Sequence, residues 1–439
     1  MSDLIQARVL KGFRDMLPAA EIGRALLAET LTKTFRSFGF VPIDTPALEY
    51  SEILLRKSDG ETEKQVFRFE DNGGRDVALR FDLTVPFARF VAEHKDELYL
   101  PFKRYHISKV WRGEKPQAGR YREFTQCDFD IVGSDSAAVD FEILSLMKTA
   151  LAAIGVTDVT IRLSHRGVFN RFLANRGLSD RSEEILRTVD KLSKIGRDET
   201  RALLADIAGE ANAADILAYI EGAGDGPGKF EATLAIIEKM AGGPAEDTQR
   251  LRDIRAFMVE TGIAESFVLD PSITRGLDYY TGVVYETFLN DLPGIGSVCS
   301  GGRYDNLAGL YMKDRIPGVG SSIGLDRLIA ALDELGRSVT KPSFTQAAVF
   351  CQNETDMALY QKAAGELRNR GVACEVYPDP KKMGQQYAWA EKKGIPWGIT
   401  LGRAEGDARA LPGLTLKNLI TREVLENLDA EAAAKAILR

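Results

Sequence analysis

The sequence is poor in the residues from which metal and redox sites are built: among 439 residues there are three histidines (His94, His106, His165) and four cysteines (Cys127, Cys299, Cys351, Cys374). The cysteines are widely spaced and form no CxxC pair, which argues against a zinc site or a disulfide framework, so four thiols and no protein-held metal are expected. No apolar run approaches the ~20 residues of a membrane-spanning helix. The opening MSDLIQARVLKGFRD lacks the apolar stretch of a secretory leader, so cytoplasmic residence without a membrane partner is the expectation. A net charge of -7 lacks the positive excess common in nucleic-acid binders. No internal repeat or low-complexity tract is present.

What is present is an ordinary globular composition, 44% hydrophobic and 28% charged, long enough for two or three domains. A helix is predicted over residues 19–38, with Ile22, Ala25, Leu26, Leu31, Phe35 and Phe38 on one face and Gly39 as its left-handed cap. FVPIDTPALE follows with two prolines, which suit an edge strand. VALRFDL (77–83), FKRYHISKVWR (102–112) and REFTQCDFDIV (122–132) read as strands, the last two as an antiparallel pair joined by a polar loop. In the third strand Arg122, Phe124, Gln126, Asp128 and Asp130 share one parity, while Cys127, Phe129 and Ile131 share the other. Parity alone favours a plain solvated face for the polar set over a site built on the sheet. Helical patterns between 181 and 261 suggest an inserted helical subdomain, after which VVYETFL (283–289) and SVCSGGRYD (297–305) return to sheet. GVGSSIGLDRLIAALDEL then gives a strand or turn and a helix. Beyond the polar linker GRSVTKPS, alternating strands and helices predict a small α/β domain with a mostly parallel sheet, carrying a net charge of +1 over residues 344–439. Lysines 381, 382, 392 and 393 lie close together there, a feature more common on solvated surfaces than at nucleic-acid contacts.

The local charge is more informative than the sum. Residues 99–124 carry seven basic side chains against Glu114 and Glu123, so an anion belongs near this segment. WRGEKPQAGRYREF sets three arginines and an aromatic ring around a loop, which suits a nucleoside triphosphate. Arginines neutralise phosphate oxygens and charge gathered at phosphorus, and a ring such as Phe124 stacks on a purine. The loop contains no GxxxxGK[ST], so the cradle is not a P-loop. Arg327 opens a predicted helix, where the dipole disfavours a cation unless an anion binds beside it. Taken singly, each arginine is more often a surface ion-pair partner.

The segments combine into a resemblance. The 19–38 helix with IDTPALE resembles motif 1 of the class II aminoacyl-tRNA synthetases, VWRGEKPQAGRYREFTQCDFDI resembles motif 2, and GVGSSIGLDRL resembles motif 3, in the family's order. RGLDYYTGVVYE, SGGRYDNL and the opening KGFRDMLP are similar to segments of the histidine-specific family, the histidyl-tRNA synthetases. FDLTVPFAR, RYHISKV and QCDFDI resemble its eukaryote-like branch, with aspartates at 82 and 130 where many bacterial members carry glutamate.

The resemblance implies an α+β multidomain enzyme with an antiparallel-sheet catalytic domain (1–180 and 262–336), a helical insertion (181–261), a linker (337–343) and an anticodon-binding α/β domain (344–439). It implies ATP with Mg²⁺ on its phosphates, L-histidine and tRNA(His) as partners, and a homodimer. Arg112 and Arg275 would be catalytic; Arg112, Glu114, Arg120, Phe124 and Arg327 would hold ATP. Asp82, Thr84, Gln126, Asp130, Arg275, Tyr279, Tyr280, Gly302 and Tyr304 would hold histidine, with Asp130 and Tyr280 bracketing the imidazole. Lys115 and Gln117 would face the tRNA acceptor end. The alternative is a catalytically silent, histidine-sensing paralogue of the kind that regulates ATP phosphoribosyltransferase; such relatives generally lack the C-terminal domain and the arginine of RGLDYYTG, and this chain has both.

Overall fold

In the computed structural model, residues 4–55, 63–116, 119–222, 229–273, 279–402 and 411–439 are described. They form two compact units, residues 1–15 with 27–338 and residues 16–26 with 339–439. Along the first unit run β1 (Val41–Pro42), β2 (Leu48–Tyr50), β3 (Arg68–Glu70), β4 (Asp76–Leu79), β5 (Phe102–Trp111) and β6 (Glu123–Val132). They are followed by β7 (Val159–His165), β8 (Phe267–Leu269), β9 (Val283–Leu289), β10 (Cys299–Tyr304) and β11 (Gly318–Gly324).

Eight of these strands make one sheet in the order β1-β5-β6-β11-β10-β9-β7-β8. Its pairs are antiparallel except β1 with β5 and β7 with β8. The strand predicted for VALRFDL is shorter than expected: β4 ends at Leu79 and belongs to a separate sheet in the order β2-β4-β3. Residues 80–83 instead turn into the helix Thr84–Glu93, so Asp82 sits on a turn and not on a strand.

Alternation along β6 explains both faces of the sheet. Cys127, Phe129 and Ile131 have no exposed surface and join the main core with Phe35, Ile143, Leu144 and Met147. The opposite parity is buried too, Asp128 and Asp130 to 2% exposure, which corrects the reading of a solvated face. A second apolar layer covers that side, in which Phe87, Ala88 and Val91 pack with Tyr304, Leu307 and Ile316. The insertion contributes helices including Ser182–Val189, Arg197–Ala208, Glu210–Glu221, Phe230–Met240 and Glu246–Glu260. Their inward residues, among them Ile185, Leu204, Ile216, Leu234 and Ile254, are continuous with the main core. Burial of an amphipathic stripe against the sheet, more than intrinsic propensity, holds such short helices.

The predicted first helix is Pro18–Ser37, and it ends as its sequence requires. Gly39 takes φ +81°, its N–H reaches Arg36 O at 3.0 Å, and the Phe40 N–H reaches Phe35 O at 3.1 Å. Residues 16–26 group with the second unit, a division the sequence does not announce. The cause is a close backbone approach: a Cβ on Gly23 would lie 1.5 Å from Val339 O, and Lys341 N donates to Ala19 O at 3.3 Å.

The second unit carries β12 (Ala347–Val349), β13 (Cys374–Val376), β14 (Trp397–Leu401), β15 (Leu414–Asn418) and β16 (Val424–Leu428), in the order β13-β12-β14-β15-β16. The first three neighbours are parallel and the last two pairings antiparallel. The sheet is therefore more mixed than its strand-helix alternation predicts, because β15 and β16 form a hairpin. Strand β16 has no fully buried position, so it lacked a hydrophobic signal. All four cysteines are free and buried, and among the described residues no helix is long and apolar enough to cross a membrane.

His165 ends β7 and caps the helix Arg166–Ala174, its Nδ1 accepting from Gly167 N at 3.0 Å. Burial pushes its pKa down to about 4, below the usual 6.5, so the folded ring stays neutral where an unfolded one takes a proton. The contribution of His165 relative to His165→Asn is complete above pH 6.5 and falls by ~1.4 kcal/mol per pH unit from 6.5 towards 4. Denaturant unfolding of both proteins at pH 7.5 and 5.0 checks this: the wild type must lose ground at pH 5.0, and an unchanged difference contradicts it.

Candidate active site

The β5–β6 hairpin and β11 bring the motif residues together. Arg112, Glu114, Arg120, Phe124, Gln126 and Arg327 line one cleft, partly open to solvent, together with Ser297 to Ser300, Ser322 and Gly324. Arg112 follows β5; its Nε donates to Phe81 O at 2.9 Å, and its Cζ lies 5.2 Å from the centroid of Phe124. Arg120 Nη1 stands 3.6 Å from Glu114 Oε2. Arg327 is the third residue of the helix Leu325–Glu334, where a cation opposes the dipole. Its Nη1 donates to Ser297 O at 2.7 Å, which aims the side chain along the cleft. Of the described residues lining the cleft only Glu114 is acidic against three arginines, so the cleft is electropositive.

The second set gathers into a buried cluster of carboxyl and tyrosine side chains beside the same sheet. The Tyr279 hydroxyl donates to Asp82 Oδ2 at 3.2 Å and interacts with Thr84, while the Val85 amide donates to Asp82 Oδ1 at 3.1 Å. Tyr304 donates to Asp130 Oδ1 at 2.6 Å. The Tyr279 ring meets Tyr280 and Tyr304 edge-on, at centroid distances of 5.0 and 5.9 Å. Gly302 is required beneath Tyr280, because a Cβ there would stand 2.9 Å from the ring and 2.8 Å from Val283 O. Gln126 joins the two regions: it lines the cleft, sits on the parity of Asp128 and Asp130, and its Nε2 donates to Ser322 Oγ at 2.8 Å.

Burial raises the carboxyl pKa values of Asp82 and Asp130 and pushes Asp128 up to about 7, with the Arg104 guanidinium opposing the shift at each. Burial likewise raises the Tyr279, Tyr280 and Tyr304 hydroxyls, which therefore remain donors. Lys115 is exposed on the loop. Arg275 and Gln117 lie outside the described residues.

Three participants were not foreseen from sequence. Arg104 and Asp128 were hidden in alternating strands whose polar parity looked solvated. Asp326 was overshadowed by Arg327, its neighbour. Asp326 accepts from Thr125 N at 2.6 Å and pairs with Arg14, whose guanidinium carbon lies 3.9 Å above the Tyr121 ring. The N-terminal segment is fixed alongside, with Arg122 N donating to Gly12 O at 2.8 Å. The signal available was the position of Asp326 in a first helical turn, where an acid is favoured.

Comparison with known proteins identifies the relatives of the chain. A profile described as Histidyl-tRNA synthetase matches residues 12–328, and one described as Anticodon binding domain matches residues 346–438. The histidine–tRNA ligase of Treponema denticola is 67% identical over 92% of this chain and 90% of its own length. That of Rhodopirellula baltica is 49% identical over 96% and 95%. The crystal structure of histidyl-tRNA synthetase from Nostoc sp. PCC 7120 superposes with a TM-score of 0.86 at 30% identity, covering 99% of this chain and all of that one. A structure described as an ATP phosphoribosyltransferase regulatory subunit/histidyl-tRNA synthetase from Bacillus halodurans C has a TM-score of 0.74 at 22% identity, covering 88% of this chain and 97% of that one, a likeness of fold alone. With close relatives that are ligases and a C-terminal domain of the anticodon-binding kind, the silent histidine-sensing alternative is not favoured.

Proposed function

The chain belongs to the histidyl-tRNA synthetase family and is a histidine–tRNA ligase that uses ATP, and from that premise we propose how its residues divide the work. Arg112 binds the α-phosphate, Glu114 and Phe124 hold adenine, and Arg120 and Arg327 hold the distal phosphates. Asp82, Thr84 and Gln126 hold the ammonium and carboxylate ends of histidine. Asp130 and Tyr280 bracket the imidazole, with Tyr279, Gly302 and Tyr304 as the pocket wall. Arg275 acts on the histidine carboxylate and the α-phosphate, an assignment carried by its place in RGLDYYTG.

Two steps follow. A carboxylate oxygen of histidine attacks the α-phosphorus, the bond to the bridging oxygen breaks, and pyrophosphate leaves. The terminal ribose 3′-hydroxyl of tRNA then attacks the activated carbonyl carbon and AMP leaves. No protein nucleophile is needed; alignment and fixed positive charge carry the catalysis. The observation that supports this most is Gln126, which lines the electropositive cleft and shares its sheet face with the buried Asp128 and Asp130. It marks where a carboxylate from one side meets a phosphate from the other.

Mg²⁺ would arrive with ATP and would neutralise phosphate charge; among the described residues Glu114 is the one carboxylate lining the cleft that could help hold it, and no cluster of three metal-ligating side chains exists among them. Residues 344–439 read the anticodon arm, and Lys115 and Gln117 meet the acceptor end. Cytoplasmic residence accords with a tRNA substrate. Homodimerisation is supported by the edge strand β1 and by the exposed Val41, Leu48, Tyr50 and Phe69. Exchange of labelled pyrophosphate into ATP, run with each amino acid in turn, tests the reading. It should require histidine and Mg²⁺. Exchange driven equally by another amino acid would overturn the pocket assignment.

A further inference from the structure

We propose that Arg104 is a positioning residue for histidine selection: it holds the Asp130 carboxylate ionised and aimed, so that the pocket meets an imidazole N–H with a charged acceptor. The inference rests on the reading of Asp130 given above and adds a residue that does not itself touch histidine. Arg104 lies on β5 directly opposite Asp130 on β6 and has no exposed surface. Its Nη2 is 2.7 Å from Asp130 Oδ2 and 4.0 Å from Asp128 Oδ2, and Cζ lies 4.3 Å from the Phe87 centroid. The only hydrogen bond given to this guanidinium among the described residues is a long one, from Nη2 to Leu83 O at 3.4 Å. Its Nε and Nη1, together with Asp130 Oδ2 and Asp128 Oδ1, have no hydrogen-bond partner there. The 2.7 Å contact is thus an ion pair without hydrogen-bond alignment. Its effect is through charge.

A buried, poorly bonded guanidinium stabilises a fold less than an apolar side chain of its volume. Its presence is explained by what surrounds it. Asp130 is faced by Arg104 from β5, Tyr304 from β10, Tyr285 from β9, Tyr280, and Asp128 on its own strand, and Asp128 in turn is opposite His106 and interacts with Asp82 and Tyr279. Among the described residues Arg104 is the one cation acting on Asp130, while Asp82 also feels Arg112 and Asp128 also feels the buried Arg80. Like charges so placed do not all ionise. Burial raises both Asp128 and Asp130, and Arg104, at 2.7 Å from Asp130 against 4.0 Å from Asp128, favours the charged form most at Asp130. Tyr304, donating at 2.6 Å to Oδ1, fixes the carboxylate from its other side and leaves Oδ2 as the acceptor. His106, which burial keeps neutral, adds no second cation.

The test is histidine-dependent pyrophosphate exchange by the full chain between pH 6 and 8.5, with KM measured for each substrate. Relative to wild type, Arg104→Met should raise KM for histidine by roughly ten-fold or more at pH 7. The increase should shrink as pH rises and the unsupported carboxyl ionises, while KM for ATP stays within about two-fold. Arg104→Lys, retaining the charge, should restore most of the affinity and the wild-type pH profile. Should Arg104→Met fail to fold, Arg104→Gln gives the same readout. Equal rises in both KM values with no pH dependence would mark a merely structural role and overturn the proposal. Asp130→Asn separates the two levels: if it leaves KM for histidine unchanged, the pocket reading fails. If it raises KM and the neutral Arg104 variants do not, only the role of Arg104 fails.

Discussion

Arg112→Ala should lower histidine-dependent pyrophosphate exchange by roughly 10²–10³-fold, the scale of losing one preorganised charge stabiliser. The geometry gives the reason. One donor, Nε, is committed to Phe81 O at 2.9 Å, which fixes the plane of the guanidinium while the side chain still lines the cleft. Such an anchor costs no reorganisation when charge develops at phosphorus. Arg112→Lys should recover only part of the rate, because an ammonium on a flexible stem carries the charge but not the planar fork. Arg275→Ala should fall by roughly 10²-fold or more on the same argument. Single-turnover adenylate formation separates this from binding: the chemical step slows, and for Arg112→Ala the thermal midpoint moves little since Arg112 is only partly buried. A variant of Arg112 with near-normal exchange would remove it from the α-phosphate.

Gly320→Ala should be nearly as damaging to histidine use, although it adds one methyl group. The ideal Cβ at Gly320 stands 1.9 Å from Asp130 Oδ1 and 2.3 Å from its Cγ. Gly320 does not yield easily, being paired with Asp130 on one side and Gly302 on the other, and its carbonyl accepts from the buried Tyr285 hydroxyl at 2.7 Å. Asp130 must move instead, and its 2.6 Å bond from Tyr304 breaks or lengthens. Displacement of a binding group by about 1 Å costs on the order of 10²-fold in rate. The expected result is a drop of that size in kcat/KM for histidine with KM for ATP within about two-fold, alongside ~1–3 kcal/mol of overpacking. If kcat/KM for histidine were preserved, Asp130 would not be where selection occurs.

Much of this arrangement was legible in the sequence because its parts obey local rules. The period-2 pattern of REFTQCDFDIV placed Gln126, Asp128 and Asp130 on one face, and the structure keeps them there. VVYETFL is β9, residue for residue. The resemblance located the arginines of the cleft, which the hairpin and the helix Leu325–Glu334 bring together from residues 112 and 327. What the sequence hid depends on tertiary contacts. Burial of the polar face arises from a second layer, Phe87 to Val91 with Tyr304 to Ile316, whose packing no strand pattern encodes. Arg104 was one of the seven basic residues counted over 99–124, yet it points away from solvent and towards Asp130. Asp82 looked like a strand residue because VALRFDL alternates, and the helix beginning at Thr84 cut the strand short.

The central claim is that one sheet face carries an ATP side and a histidine side that meet at Gln126. A crystal structure with histidine and a non-hydrolysable ATP analogue tests it most directly. The expected result is a purine on Phe124, phosphates against Arg112 and Arg327, and an imidazole within hydrogen-bond distance of both Asp130 and Tyr280. An imidazole outside that bracket, or a triphosphate held without Arg112, would contradict it.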